Sequence, residues 1–140
     1  MATSADYIAP LNVERSPNHD RQVVSSFSDM QERSVMTDFS IELANGDLVP
    51  VHRNMMYATS DYFKALFTSG MKEASQGKVR FETLSVDAVR GVIDYLYGRK
   101  LSVHWDNVEE FIDAVETLQL LKYLVFDRLI KWNVSALACT

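Results

Sequence analysis

Cysteine, proline and glycine are scarce in this chain, whose 140 residues include one cysteine, three prolines and five glycines. Because Cys139 has no second cysteine to pair with, an internal disulfide is excluded, and we expect a reducing compartment, cytoplasmic or nuclear. No uncharged apolar run is long enough to cross a membrane, and the opening MATSADY lacks the basic and apolar regions of a secretory signal. The sequence therefore predicts no membrane partner.

Positive charge is also in the minority, since 14 lysines and arginines face 19 aspartates and glutamates, for a net charge of −5. Such a chain would repel a phosphate backbone unless its basic residues were clustered, and they are scattered. Nucleic acid is therefore not an expected partner. Apolar side chains, by contrast, make up 47% of the residues, which is enough for one core in a single domain.

Residue patterns that carry catalysis or metal binding are missing as well. The three histidines, His19, His52 and His104, fall in separate segments, and the sequence has no CxxC, HExxH, glycine-rich phosphate loop or G-x-S-x-G motif. Cys139, near the end of an amphipathic stretch, is typical of a small apolar filler rather than a nucleophile. We therefore predict no catalytic, cofactor-binding or metal site, and a chain that acts by binding rather than as an enzyme.

The first 20 residues show no sustained periodicity and contain Pro10 and Pro17, so they indicate a flexible arm, in which DYIAPL could form a short added strand. From Arg21 onward an amphipathic helix is predicted. Its apolar side carries Val23, Val24, Phe27 and Met30.

A β-hairpin is predicted next. The stretch TDFSIEL alternates apolar and polar residues with the period of a half-buried strand. Asn45-Gly46 then marks a turn, because both residues accept positive φ, and a second strand follows over Leu48–His52. Pro50 in that strand predicts an edge position in the sheet.

Helices and one further strand account for the rest of the chain. RNMMYATSDYFKALFTSG predicts two short helices ending at Gly70, with Ser60 as the N-cap of the second, and KVRFE predicts a third strand. A helix capped by Ser85 and ending at Gly98 follows. Asp106 and Glu109 match a capping box that opens the next helix. The inward faces of these last two helices are predicted to carry Val89, Val92, Ile93, Leu96 and Tyr97, then Val108, Phe111, Ile112, Val115 and Leu118.

The final apolar stretch, LQLLKYLVFDRLIKWNVSAL, predicts another helix, and residues 136–140 read as the start of a helical continuation. A hairpin and a third strand surrounded by short helices give an α+β fold class. Met71 stands outside every apolar pattern, among small and charged neighbours.

Residues 37–74 resemble the core of the BTB/POZ family, whose signature is a strand opening with Asp, a hairpin, His and a basic residue before a helix, and then S-x-Y-F-x-x-x-F. The matching residues are Asp38, His52, Arg53, Ser60, Tyr62, Phe63 and Phe67. VIDYLYGRKLSV and DNVEEFIDAVETLQLLKYL are similar to later segments of the family. The resemblance covers residues 21–135 and is strongest to the BTB domains of kelch-like proteins.

The resemblance implies a small three-stranded sheet flanked by short helices, with an N-terminal dimerisation helix and a C-terminal helical hairpin. It also implies a homodimer in which the first helix packs against its mate. The residues at the matching positions are Val23, Val24, Phe27, Met30, Met56 and Tyr57. Asp38 and Arg53 match positions that hold a structural pair of opposite charges near the dimer centre.

Two functions are compatible with the resemblance. One is an adaptor for a cullin-3 ubiquitin ligase, whose substrate is brought by a separate domain beyond Thr140, and the other is an oligomerisation and corepressor module of a BTB zinc-finger transcription factor. Potassium-channel tetramerisation is a more distant third. Met71-Lys72-Glu73 favours the adaptor, because cullin-binding members often carry an apolar residue, any residue and Glu in the loop after the third helix.

In that interpretation Met71 enters an apolar groove of the cullin, and Glu73 accepts backbone N–H groups that hold the loop in shape. The alternative is that Met71 folds back on Phe67. By family position, the other half of the cullin surface is implied to come from Tyr97, Asn107, Val108, Glu109 and Tyr123.

Overall fold

The computed structural model describes residues 8–120 and residue 131, which form three short strands and six helices. In chain order they are α1 Pro17–Glu32, β1 Phe39–Glu42, β2 Leu48–Val51, α2 Arg53–Thr59, α3 Asp61–Thr68, α4 Lys72–Gln76, β3 Lys78–Arg80, α5 Val86–Leu96 and α6 Val108–Thr117. The predicted α+β fold is thereby confirmed. The partner helix of the C-terminal hairpin and the continuation over residues 136–140 lie outside the described residues.

The sheet has the strand order β2-β1-β3, with β1 antiparallel to β2 and parallel to β3. This confirms the hairpin and the edge position of Pro50. The turn differs from the prediction, since only Gly46 adopts positive φ, at 92°. Asn45 instead accepts the Asp47 N–H through its own Oδ1 at 3.1 Å, which forms a local side-chain turn and lengthens the loop.

The core lies between one face of the sheet and the helices. Phe39, Ile41 and Leu43 alternate along β1 and are all buried. They meet apolar faces of α3, α5 and α6, including Phe63, Val92, Ile93, Phe111 and Val115. The interior follows directly from the strand and helix periodicities of the sequence.

Serine caps begin two of the helices as predicted. Ser60 Oγ accepts the Phe63 N–H at 3.2 Å and donates to the Leu118 carbonyl at 2.7 Å, so it also ties α3 to the end of α6. Ser85 caps α5. The predicted capping box at Asp106 is wrong, because the N-cap residue of α6 is Asn107, whose Oδ1 accepts the His104 N–H within the preceding loop.

Helix α1 starts at Pro17, four residues before the predicted Arg21. Ser16 is its N-cap and accepts the His19 N–H, and proline is favoured at a first helical position because no N–H is needed there. Residues 8–16 are exposed and contain no strand. At the other end of α1, the Gln31 amide donates to the Pro50 carbonyl of β2 at 2.8 Å.

A half-buried arginine, Arg99, fastens α1 to the end of α5. Its guanidinium donates to the hydroxyl and carbonyl oxygens of Ser28, both at 2.8 Å, and to Gln31 Oε1 and Asp94 Oδ1, both at 2.7 Å. Beside it, Gly98 has φ 82°, and a Cβ there would lie 2.4 Å from Cγ1 of Val24. Helix α1 can approach this closely only because Gly98 has no side chain.

Candidate protein-interaction site

Two short helices and the end of a third enclose a small apolar groove with a volume of about 200 Å³. Its residues come from α3 and its C-cap, from the first turn of α4 with its N-cap, and from one position after the end of α6. The residues lining this groove include Tyr62, Ala65, Leu66, Met71, Glu73 and Gln119. We call it the Met71 groove.

Met71 lies at the N-cap of α4 with 51% of its surface exposed. The sequence placed this residue in a loop, whereas Lys72–Gln76 form a five-residue helix, so the side chain projects from the start of a helical turn. Phe67 packs against the rings of Phe39 and Phe63, with centroids 5.0 and 5.7 Å away, and does not line the groove. Met71 is therefore a half-exposed apolar group beside a groove.

Glu73 lies in the first turn of α4 and Lys72 is exposed beside it. The predicted role of Glu73 as a loop brace is wrong, because no backbone N–H in the described ranges donates to its carboxylate. The carboxylate instead faces α3, where burial, and secondarily the negative charge of Glu73, raise the pKa of Tyr62. Within the described residues, a half-buried carboxylate thus lies on the rim of the groove without a backbone N–H donor.

By family position Tyr97 and Val108 are predicted to belong to the cullin-binding surface, but the structure places both in the core. The Tyr97 hydroxyl accepts the His52 N–H at 2.9 Å and lies 2.8 Å from the His52 Nδ1, so its polar end is satisfied inside the domain. Burial raises the pKa of Tyr97 to about 12. Neither side chain is available to a partner, which corrects their assignment.

Asn107 and Glu109 mark the start of α6, whereas Gln119 follows its end. Ten helical residues at 1.5 Å rise separate the two ends by about 15 Å. The structure therefore does not bring Asn107 or Glu109 into the Met71 groove. Tyr123 lies outside the described residues.

Five residues that line the groove were not predicted, namely Tyr62, Ala65 and Leu66 of α3, Ser69 at its C-cap, and Gln119 after α6. Tyr62, Ala65 and Leu66 follow the i, i+3, i+4 spacing of one helix face, so the sequence carried a signal for them. Gln119 follows the last periodic residue of α6, so helical periodicity gave no signal for it, although it lies in the segment DNVEEFIDAVETLQLLKYL that resembles the family.

The predicted dimer residues divide between the surface and the core. Val23 on α1 and Tyr57 on α2 are each 41% exposed. Val24 and Phe27 are half-buried against their own domain, the latter edge-on to the His52 ring with centroids 5.6 Å apart. The remaining two are Met30, which is half-buried, and Met56, which is fully buried. Met56 is therefore a core residue, and its assignment to a dimer interface is wrong.

Asp38 and Arg53 contact each other, but not as an ion pair of two side chains. Asp38 Oδ1 accepts the backbone N–H of Arg53 at 2.7 Å and so caps α2, while Arg53 Nε donates to the Asp38 carbonyl at 3.2 Å. The guanidinium also donates to the Ala74 carbonyl and lies over the Phe39 ring. Asp38 is exposed, so its carboxylate needs no buried counter-charge.

Across the described part of the chain, no helix is both long and apolar enough to cross a bilayer. Within the same residues, no three His, Cys, Asp or Glu side chains are grouped to hold a metal ion.

Curated proteins similar to this chain carry kelch-like names. Human Kelch-like protein 13 is 35% identical over 118 residues, which cover 84% of this chain and 18% of that protein. Mouse Kelch repeat and BTB domain-containing protein 3 is 35% identical over 130 residues, which cover 91% of this chain and 21% of that protein. The chain spans about a fifth of the length of these relatives.

Solved structures show the same fold at lower identity. The BTB domain of human gigaxonin superposes with a TM-score of 0.74 at 21% identity, covering 90% of this chain and 99% of that one. The BTB domain of zebrafish PATZ1 gives a TM-score of 0.72 at 16% identity, with 93% and 100% coverage. The sequence model of the BTB/POZ domain matches residues 27–125. This chain therefore belongs to the BTB/POZ domain family, whose fold serves protein interaction.

Proposed function

We propose that this domain is the homodimeric BTB module of a substrate adaptor for a cullin-3 ubiquitin ligase, and that it binds the N-terminal region of the cullin at the Met71 groove. The observation that carries the proposal is the half-exposed Met71 beside an apolar groove lined by Tyr62 and Leu66. Kelch-like and kelch-repeat relatives at about 35% identity support it over the zinc-finger alternative.

The groove has the chemistry of a protein-binding centre. Met71 is flexible and can adapt its thioether to an apolar partner surface, while Leu66 and Ala65 provide a floor that needs no polar partner. The Glu73 carboxylate on the rim can accept N–H groups from the partner, and bonds to a charged acceptor are stronger than neutral ones. We expect burial of the exposed half of Met71 to contribute about 1–2 kcal/mol to binding.

Dimerisation is the second part of the proposal. The exposed surfaces of Val23 on α1 and Tyr57 on α2 support a self-complementary contact between two copies, since two-fold interfaces reuse one patch on both subunits. A dimeric adaptor would hold a substrate-binding domain beyond Thr140 near the cullin-bound catalytic machinery. Tethering raises the effective concentration of the substrate. In this role the chain acts as a scaffold and does not itself form or break covalent bonds.

The test of cullin binding is calorimetric titration of the chain with the N-terminal region of cullin-3. We expect Met71→Ala and Glu73→Ala to weaken binding by about fivefold or more, because each removes one of the contacts described above. Met36→Ala is the matched control, since Met36 is 80% exposed but does not line the groove. No binding by the wild type would refute the cullin proposal, and equal binding by all four proteins would refute the site.

The test of dimerisation is light scattering at micromolar concentration. The expected mass is twice the 15.9 kDa of a single chain. Val23→Asp should shift the mass toward that of one chain, because it places a charge in the apolar contact. A wild-type monomer at this concentration would refute the dimer.

A further inference from the structure

Gln119 occupies an unusual backbone conformation at the edge of the Met71 groove. Its φ is 53°, in the left-handed region, directly after α6. The Gln119 N–H donates to the Glu116 carbonyl at 3.1 Å, and the Leu120 N–H donates to the Val115 carbonyl at 3.0 Å. These two bonds define a Schellman motif, in which the left-handed residue is usually glycine and sometimes asparagine.

Two other helices end in the same motif and provide a comparison. Helix α5 uses Gly98, and α1 uses Ser34 at φ 54°. A β-carbon is disfavoured in this conformation, so glutamine carries a cost that glycine would not. The Gln119 amide makes no hydrogen bond with any residue that the structure describes, so nothing within that region offsets the cost.

The neighbours of Gln119 anchor its backbone. Leu118 and Leu120 are both fully buried, and the Leu118 carbonyl accepts the Ser60 hydroxyl at 2.7 Å. Because the backbone is anchored on both sides, the exposed Gln119 is held at a fixed position among the residues that line the groove. Such preorganisation reduces the entropy lost when a partner is bound.

We infer that Gln119 is a specificity-determining contact of the Met71 groove, where its amide hydrogen-bonds the main chain of the cullin segment whose apolar side chain packs beside Met71. A primary amide donates and accepts at once, which matches a peptide group, and the Glu73 carboxylate supplies a further acceptor on the rim. The inference rests on the proposed function, because it assumes the same partner, cullin-3, and the same groove. Ser34 shows that this conformation occurs elsewhere without a groove, so the inference is carried by the combination of the strained conformation with a place among the groove residues.

The test separates the stability of the domain from its affinity for the N-terminal region of cullin-3. Gln119→Gly should raise the melting temperature by about 2–4 °C, because it relieves the left-handed conformation, yet weaken binding about fivefold. Gln119→Ala keeps the β-carbon and the backbone restraint. It should leave the melting temperature near that of the wild type and weaken binding as much as Gln119→Gly does. This result would exclude the flexibility of glycine as the cause of the weaker binding.

Ser34→Gly is the matched control, since it relieves the same conformation at the end of α1 and does not line the groove. It should raise the melting temperature and leave the affinity unchanged. If Met71→Ala weakens binding but both Gln119 variants bind like the wild type, the inference is overturned and the proposed function stands. If the wild type does not bind, both are overturned. A melting temperature lowered by Gln119→Gly would also overturn the inference, because its strain argument would be wrong.

Discussion

Substitution of Gly98 by alanine tests how α1 is attached to the rest of the domain. The added Cβ would lie 2.4 Å from Cγ1 of Val24, whereas ordinary contacts begin near 3.4 Å. Val24 or the whole of α1 would therefore have to move by about 1 Å, and close-packed interiors resist such shifts. The residue would also keep φ near 82°, which disfavours any side chain.

Two contributions add to the expected loss of stability. Placing alanine in the left-handed conformation costs about 1–2 kcal/mol. Forcing a methyl group into a filled contact costs a further ~1–3 kcal/mol. We therefore expect Gly98→Ala to lower the free energy of unfolding by about 2–5 kcal/mol.

Urea denaturation at one fixed protein concentration measures this loss, because a dimer makes apparent stability depend on concentration. Gly77→Ala is the matched control, since Gly77 has φ 74° but no atom within 4 Å of an added Cβ. The control should lose only the conformational contribution. The difference between the two variants, about 1–3 kcal/mol, isolates the contact with Val24.

A second variant confirms the cause. Adding Val24→Ala to Gly98→Ala removes the clashing methyl groups, so the double variant should recover most of that difference, and the double-mutant cycle gives the coupling energy. Equal losses for Gly98→Ala and Gly77→Ala would refute the reasoning, because they would mean that α1 accommodates the methyl group freely.

Two further predictions concern buried hydroxyl groups. Ser60→Ala should lower the free energy of unfolding by about 2–3 kcal/mol, since it removes a helix cap and leaves the buried Leu118 carbonyl without its donor. Ser85→Ala removes only a helix cap, so it should lower the free energy of unfolding by about 1 kcal/mol. Equal losses in urea titrations would contradict this. The pKa of Tyr97 is raised from 10 to about 12 in the folded state, so the unfolded chain loses this proton first as the pH rises. Stability should therefore fall by roughly 2 kcal/mol between pH 10 and 12, and Tyr97→Phe should show a shallower decline over that range.

Local patterns in the sequence predicted most of the architecture, because strand alternation, helical periodicity and helix caps depend on residues that are close in sequence. Alternation along Phe39, Ile41 and Leu43 marked β1, and Ser60 and Ser85 marked helix starts through their own hydroxyl groups. The choice between Asp106 and Asn107 as a cap depended on the loop at His104, which the pattern does not contain. Helix α4 was missed because five residues with no apolar stripe leave no periodic signal.

The site was only partly predictable, for a different reason. Met71 stood out as an apolar residue with no place in a pattern, but its groove is assembled from α3, α4 and the end of α6. Gln119 joins it only through tertiary structure. Met56 and Tyr97 show the converse difficulty, since an apolar helix face looks the same in sequence whether it covers its own core or a partner.

The contact between Gln31 and Pro50 has a consequence for solubility. An exposed edge strand can pair with the edge of another molecule and extend the sheet from copy to copy. Pro50 hinders such pairing at the β2 edge, because it has no N–H to donate and its carbonyl already accepts the Gln31 amide. Because that amide belongs to α1, detachment of α1 would expose an edge strand that is prone to aggregation. Helix α1 therefore also protects the sheet from pairing with other molecules.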